Sequence, residues 1–391
     1  MPSPNPDAGQ SRRIRYLVLH APLLNLDLAK DLGQMPSFLA RGQGYDATLA
    51  CWPSDEWTWR DIVPCVREER FPHRFGRLVD SALYLLRAAR RTDVLHLEHL
   101  HNNVNLLLGA LFKLLRPGGL LYYKLDASPF IIDALANRPR RPLNLLKTVW
   151  LHFVVNHLAD LVTVEDGRHL APLRAAFPDA AEKIQHMPNG AITGPETAVP
   201  LPPKQPWIIT SARIGAYQKA IESLVQAFAE LPRRGEWRLV LAGPVEPEFC
   251  VFLAKMEKKY PGVVQAIDLP GYVIDRSALA EWYAKSAVFC LPSRWEGFSH
   301  AVPEAAYHGC YVVGTEVGGV RDTVEATDYG RVVQVDNVEA LRNALQETID
   351  QWPRLARDPG EIRSIVEARL SWPVFCEWLH GRFMRLRPEW M

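Results

Sequence analysis

Two carboxylates, Glu296 and Glu304, stand in a context that suggests chemistry. They belong to Leu291-Pro292-Ser293-Arg294-Trp295-Glu296-Gly297-Phe298-Ser299-His300-Ala301-Val302-Pro303-Glu304-Ala305-Ala306. This run follows an apolar stretch that reads as a buried strand. Gly297 permits a tight loop, Pro303 suits the first turn of a helix, and Gly309 is placed to end that helix. Glu296 is therefore expected on a strand-to-helix loop and Glu304 at a helix opening, both near the carboxyl end of a sheet. The spacing alone carries little, because Glu222/Glu230 and Glu339/Glu347 repeat it on helices that read as solvent-facing. Upstream, Arg213 ends a strand in Ser211-Ala212-Arg213, and Lys219 follows. Two cations beside helix N-termini suit an anionic phosphate ligand.

The N-terminal half offers a second group. His96, Glu98, His99 and His101 crowd the end of one strand. A metal site is the sharp reading; polar contacts to a ligand, or a hydrogen-bonded strand edge, are the others. The next strand runs into Tyr122-Tyr123-Lys124-Leu125-Asp126-Ala127-Ser128, where Lys124 and Asp126 are the best-placed ionisable side chains.

The elements that must position these residues alternate between strand and helix. Arg15–Leu19, Ala47–Ala50, Val94–Leu97, Leu120–Leu125 and Leu161–Val164 read as strands, with helices such as 78–90 and Asn103–Leu115 between them. Six prolines then fall between Pro188 and Pro206, a composition that reads as a linker. The alternation restarts with strands at Trp207–Ser211, Arg238–Ala242, Val263–Ile267, Val288–Leu291 and Tyr311–Gly314. A helix is expected over 219–231, where Ile221, Leu224, Val225 and Phe228 share a face, and another over 277–285. Strands alternating with helices argue for parallel sheets covered on both faces. The chain is expected to hold two doubly wound α/β domains facing a cleft: a loose tail at 1–11, a first domain at 12–190, a hinge at 191–206, a second domain at 207–370 and a terminal segment at 371–391.

Composition narrows the function. The 391 residues carry 45 Lys+Arg against 44 Asp+Glu, so a strong nucleic-acid binder is disfavoured. The six cysteines lack Cys-x-x-Cys spacing, which disfavours zinc and thioredoxin-like sites and points to reduced, cytoplasmic thiols. No apolar window reaches a membrane-spanning length, and Ile14 to Leu19 is too short for a signal sequence. Neither Gly-x-Gly-x-x-Gly after the first strand nor a P-loop is present, against a dehydrogenase or a P-loop enzyme.

The run from Leu291 to Ala306 resembles the retaining family 4 glycosyltransferases of GT-B fold. The resemblance continues through Val312-Val313-Gly314-Thr315-Glu316-Val317-Gly318-Gly319, Leu239-Val240-Leu241-Ala242-Gly243, Leu269-Pro270-Gly271-Tyr272-Val273 and Met187-Pro188-Asn189-Gly190. It covers about residues 185–385; the N-terminal half matches in pattern only. The resemblance implies a GT-B protein whose first domain binds the acceptor and whose second binds a nucleotide-sugar. Its terminal helix would cross back onto the first domain. Arg213 and Lys219 would grip the donor diphosphate, and Glu304 would accept the ribose hydroxyls. Glu296 would hold the sugar, aided by the loop residues Gly297, Phe298, Ser299, His300, Gly271 and Val273. Asn189-Gly190 reads as a turn only. His96, His99, His101 and Lys124 are acceptor-side candidates. Many family members place a His after the fifth strand; here Asp126 takes the position and is the candidate to act with Glu296 in catalysis.

The implied reaction is hexosyl transfer with retention of configuration (class EC 2.4), from a UDP- or GDP-sugar to a glycan or lipid-linked sugar, in building a surface polysaccharide or glycolipid. It needs neither metal nor cofactor. A nucleotide-sugar epimerase and a non-catalytic sugar-nucleotide-binding subunit are the alternatives. Basic residues gather at 60–91 and at Arg138, Arg140, Arg141 and Lys147. They read either as a solvated face or as a patch that docks the first domain, peripherally, on the anionic inner face of a cell membrane.

Overall fold

The computed structural model describes residues 13–23, 25–52, 63, 65–100, 102–125, 132, 142–193, 199–273, 275–356 and 358–391. Strands β1 (Arg15–Leu19), β2 (Asp46–Cys51), β3 (Arg67–Arg70), β4 (Val94–Glu98), β5 (Leu120–Leu125), β6 (Leu161–Val164) and β7 (Ile184–His186) form one parallel sheet in the order β3-β2-β1-β4-β5-β6-β7. A second parallel sheet holds β8 (Gln205–Ser211), β9 (Arg238–Ala242), β10 (Ile267–Gly271), β11 (Ser286–Leu291), β12 (Tyr311–Thr315) and β13 (Gly330–Val333), ordered β10-β9-β8-β11-β12-β13. Both are doubly wound. Each reverses strand order beside its first strand, and a ligand crevice opens at that point, beyond the carboxyl ends.

Alternation along the strands sets what each face carries. Leu17 and Leu19 of β1 enter one core with Leu95, Leu97, Leu121 and Tyr123. Tyr16 and Val18 enter the opposite core with Val94, Leu120 and Tyr122. The helices Arg77–Ala88, Asn103–Leu115 and Pro142–Phe153 lie over the first face, and Asp31–Gln43 covers the second. The same period of two puts His96 and Glu98, Lys124, Thr163 and Glu165 on the second face, at its carboxyl end.

One strand was not anticipated, and three boundaries are corrected. The sequence Arg67-Glu68-Glu69-Arg70 lacks an apolar face, yet it is strand β3; it lies at a sheet edge, where charge is tolerated and discourages further pairing. The strand placed at Val263–Ile267 begins at Ile267, because Val264–Ala266 is a 3₁₀ turn. Strand β8 starts at Gln205, inside the expected hinge; Pro206 sits at its beginning, beside a register irregularity, where a missing N–H is tolerated. The helix expected from Lys219 begins at Ile221. Ala220, at φ 48°, breaks the backbone there and leaves Lys219 on the 3₁₀ turn Tyr217–Lys219.

Two chain segments cross between the domains side by side. Ala191 donates to the Leu370 carbonyl at 2.8 Å, and Trp372 donates to the Ala191 carbonyl at 3.2 Å. A side chain on Gly190 would overlap the Ser371–Trp372 backbone, so only glycine lets the crossings approach this closely. Beyond them the helix Trp372–Leu386 packs on Asp31–Gln43. Its Trp372, Leu379 and Phe383 are fully buried with Tyr16, Met35 and Leu39.

Candidate functional site

In the second domain the loop after β11 and the turn after β8 are fastened together. Arg294 N–H donates to the Gln218 carbonyl at 2.8 Å, and the Gln218 amide donates to the Trp295 carbonyl at 2.9 Å. Glu296, 6% exposed, lies between them. Its Oε1 accepts from Lys219 Nζ and from Ser293 Oγ, both at 2.6 Å, and its Oε2 accepts from Gln218 at 3.3 Å. The expected partners of Lys219 and Glu296 were phosphate and sugar; here they hold each other. Gly297 and Phe298 rest on the turn after β12. A Cβ on Gly318 would strike the Gly297 carbonyl, and Ser299 N–H donates to the Gly318 carbonyl at 3.1 Å. The Glu-Gly-Phe and Gly-Gly segments therefore form one backbone-to-backbone contact.

Glu304 opens the short helix Ala301–Tyr307 and accepts from Arg276 Nη2 at 2.6 Å. Arg276 starts the helix Arg276–Lys285, capped by Asp275. Sequence reasoning missed it, although Asp275-Arg276-Ser277 after the Gly271 loop is a readable helix start. Arg276 and Glu304 border a cavity of about 90 Å³ that Tyr283, Tyr307 and His308 also line. Arg213 is exposed at the end of β8, and no carboxylate pairs with it among the described residues. Gly271, at φ 75°, accepts from Gly243 N–H at 2.8 Å, and Val273 follows it, half-buried, on the same rim.

The first domain faces this loop with a buried charged network. Glu98 and Lys124 are register partners at the ends of β4 and β5, and Glu165 directly follows β6. Lys124 Nζ bonds Glu165 and lies 3.5 Å from Asp31. Burial alone would raise the Asp31 pKa, but the Lys124 ammonium, joined by His300, a hydrogen bond from Glu98 and His96, outweighs it and holds the carboxyl below its usual range. Glu98 shares a hydrogen bond with Asp31, and burial together with the Asp31 charge pushes its pKa well up. One lysine thus faces three carboxyl groups, and the surroundings of Glu98 favour its protonated form.

Four acceptor-side candidates fare differently. His96 is fully buried between Tyr16 and Tyr122, with Nδ1 2.9 Å from the Tyr16 hydroxyl, and burial lowers its pKa to about 3. It is a core residue and cannot touch an acceptor. Lys124 is likewise 0% exposed and engaged by Glu165 and Asp31, so it acts by holding carboxylates and not by direct contact. His99 is half-exposed, with Nε2 4.0 Å from Glu98. His101, Asp126, Arg138, Arg140 and Arg141 lie outside the described residues. Among the described residues, no three metal-ligating side chains converge.

Asn189, read as a mere turn, is the joint between the domains. It is 2% exposed, and its amide donates to Glu165 Oε1 at 2.9 Å and meets His300 Nε2 at 3.2 Å. The Asn189 amide nitrogen can only donate, so His300 Nε2 accepts from it, which suits the neutral ring that burial favours. His186 Nε2 approaches Asp322 Oδ1 at 3.3 Å, and Arg168 bonds the Glu316 carbonyl, also across the cleft.

Residues 205–351 match the family described as glycosyl transferases group 1. That stretch runs from β8 through β13 and contains the Lys219–Glu296 and Arg276–Glu304 pairs. The chain is 26% identical over 215 residues to the lipopolysaccharide core biosynthesis mannosyltransferase LpsB of Rhizobium meliloti, covering 54% of this chain and 60% of that one. It is 33% identical over 165 residues to a GDP-mannose-dependent alpha-mannosyltransferase of Mycolicibacterium smegmatis, covering 42% and 40%. The match thus spans about half the length of these relatives. Anabaena HepE in complex with UDP-glucose superposes with a TM-score of 0.66 at 16% identity, over 95% of this chain and 100% of that one. At that identity the likeness speaks for fold, and the fold is GT-B.

Proposed function

We propose that this chain is a retaining glycosyltransferase that moves a hexosyl group from a UDP- or GDP-sugar to a glycan or lipid-linked sugar in the cytoplasm, in surface polysaccharide biosynthesis. The observation that carries the reading is the Lys219–Glu296 pair beside exposed Arg213, at the carboxyl ends of β8 and β11, within the stretch that matches the group 1 family. Arg213 is an open cation for the diphosphate. Lys219 is already neutralised by Glu296, so an incoming phosphate competes for its ammonium and frees the Glu296 carboxylate for the sugar hydroxyls. Glu304, oriented by Arg276, accepts from the ribose, and Gly297 to His300 with Gly271 and Val273 shape the donor pocket. The domain joint through His300 and Asn189 then sets the acceptor face against the sugar. Transfer with retention passes through an oxocarbenium-like state, so fixed positions and charges supply most of the rate. Asp126 is the proposed acceptor-side proton acceptor, and no step requires a metal or cofactor.

The relatives support the sugar class: one is described as GDP-mannose-dependent, and the HepE complex holds UDP-glucose. A thermal-shift panel of UDP-, GDP- and ADP-sugars identifies the donor; a ligand at 100 times its dissociation constant stabilises by about 2.7 kcal/mol. NMR of the product anomer then tests retention. A folded protein that none of these nucleotides stabilises sinks the reading.

A further inference from the structure

We infer that the outer surface of the helical layer over β4, β5 and β6 is a lipid-docking face that inserts apolar side chains into an anionic bilayer. The inference uses only this layer and does not rest on the proposed transfer. Its three helices already bury one apolar face each in the sheet, through Leu85, Leu106, Phe112 and Leu151. Each also carries a second apolar stripe on the opposite side. On Arg77–Ala88 it is Val79, Leu83 and Leu86; all three are exposed. On Asn103–Leu115 it is Leu107 and Leu114, the latter 78% exposed, with Leu111 between them half-buried at the edge of the core. On Pro142–Phe153 it is Leu146, Val149 and Phe153, the first 69% exposed. The spacings i, i+3 or i+4, i+7 place each triplet on one helical face. The first helix packs on the second, and the second on the turn that continues the third, so the stripes form one surface. Of the fifteen large apolar side chains exposed among the described residues, nine lie on these helices, and a tenth, Phe75, leads into the first. An amphipathic helix in water carries polar residues where these carry leucine, and a patch of this kind marks an interaction site.

Charge identifies the occupant. The three helices hold Arg77, Arg87, Lys113 and Lys147 but a single acid, Asp80. Asp80 is buried and turned onto the backbone N–H groups of Arg74, Phe75 and Gly76. Arg74, Arg87, Arg90 and Lys147 rim the surface, exposed, and no carboxylate pairs with them among the described residues. An apolar centre with an unpaired basic rim and no outward acid matches an anionic lipid surface. A second copy of this chain would set the same positive rim against itself. No helix of the described residues is long and apolar enough to cross a membrane, so docking is in-plane.

Vesicle flotation of the full chain tests this, with phosphatidylcholine alone and with phosphatidylcholine containing phosphatidylglycerol, at low and high salt. The parent is expected to float with the anionic vesicles and to keep a residual, salt-resistant share. Each exposed leucine changed to a carboxylate is expected to weaken binding roughly tenfold or more. The triple variant Leu83→Glu, Leu114→Glu, Val149→Glu should therefore stay at the bottom of the gradient, with its unfolding transition and nucleotide affinity unchanged. Arg87→Glu with Arg90→Glu and Lys147→Glu should lose the salt-sensitive share only. The inference is overturned if the parent fails to float with anionic vesicles at low salt, or if the triple variant floats as the parent does. It is equally overturned if the parent self-associates through this face and the triple variant abolishes that association instead.

Discussion

At the carboxyl end of the first sheet Asp31, Glu98, Lys124 and Glu165 are each 5% exposed or less, and they answer one another. At the same end of the second sheet Arg213 and Arg276 are exposed, and the Lys219–Glu296 pair lies at the wall of the cleft. The two sheets share their strand order over six strands, so the difference at these carboxyl ends lies in the side chains. A charge matched deep inside the protein fixes shape, whereas one left open, or matched where solvent reaches its partner as at Lys219, recruits a ligand. The first domain reads as a rigid template and the second as the half that answers to an anion.

The largest test removes the hub of the buried network. Lys124→Met strands Glu165 and Asp31 without their cation, and breaking a buried pair in this way costs about 3–5 kcal/mol. Chemical denaturation is expected to show that loss, and a near-neutral result would place water around Lys124 and dissolve the contrast. Next comes Glu304→Ala on the open side. It is expected to leave folding intact and to weaken nucleotide-sugar binding by about 1.5–3 kcal/mol, measured by calorimetry. If affinity holds and stability drops instead, Glu304 belongs with the structural carboxylates. Smaller again is Asn189→Ala at the joint, where losing its hydrogen bonds should cost about 1 kcal/mol of stability. Donor affinity should stay level while turnover falls, since the half that moves relative to the donor is the acceptor domain; equal turnover would detach Asn189 from domain alignment.

The finest test concerns the proton on Glu98. Its folded-state pKa lies above the unfolded one, so the folded chain holds a proton that the unfolded chain releases. That contribution is complete below about pH 4.5 and is lost as pH rises through the folded value. Glu98→Gln keeps a neutral group at all pH. Its melting temperature, compared with the parent's, should therefore gain as pH rises, and a gap that narrows instead would mean Glu98 is ionised in the fold.

Much of the architecture was legible because parallel strands buried on both faces read as apolar runs, as β1, β5, β6 and β9 do. Strand β3 was hidden because an edge strand needs no apolar face, and Asn103–Leu115 was found while its outward leucines passed as ordinary helix content. In the site, Glu296 and Glu304 announced themselves through the glycine and proline around them. Arg276, Gln218 and Asn189 did not, because their importance comes from what folding brings near: Asn189 meets His300 across 111 positions of chain. Glu165 left a faint trace, a carboxylate directly after Val-Thr-Val, a place where burial makes a charge costly unless a partner waits.

The return of the helix Trp372–Leu386 to the first domain has a topological meaning. In chain order the second domain is an insertion inside the first, whose helix Trp372–Leu386 is synthesised after the second domain. The first domain cannot complete its core until the second has been made. A fragment ending at residue 193 would lack Trp372, Leu379 and Phe383 and would leave Tyr16, Met35 and Leu39 facing water. Joining the tail helix directly to the first domain by a short linker, with the second omitted, is the arrangement expected to fold alone.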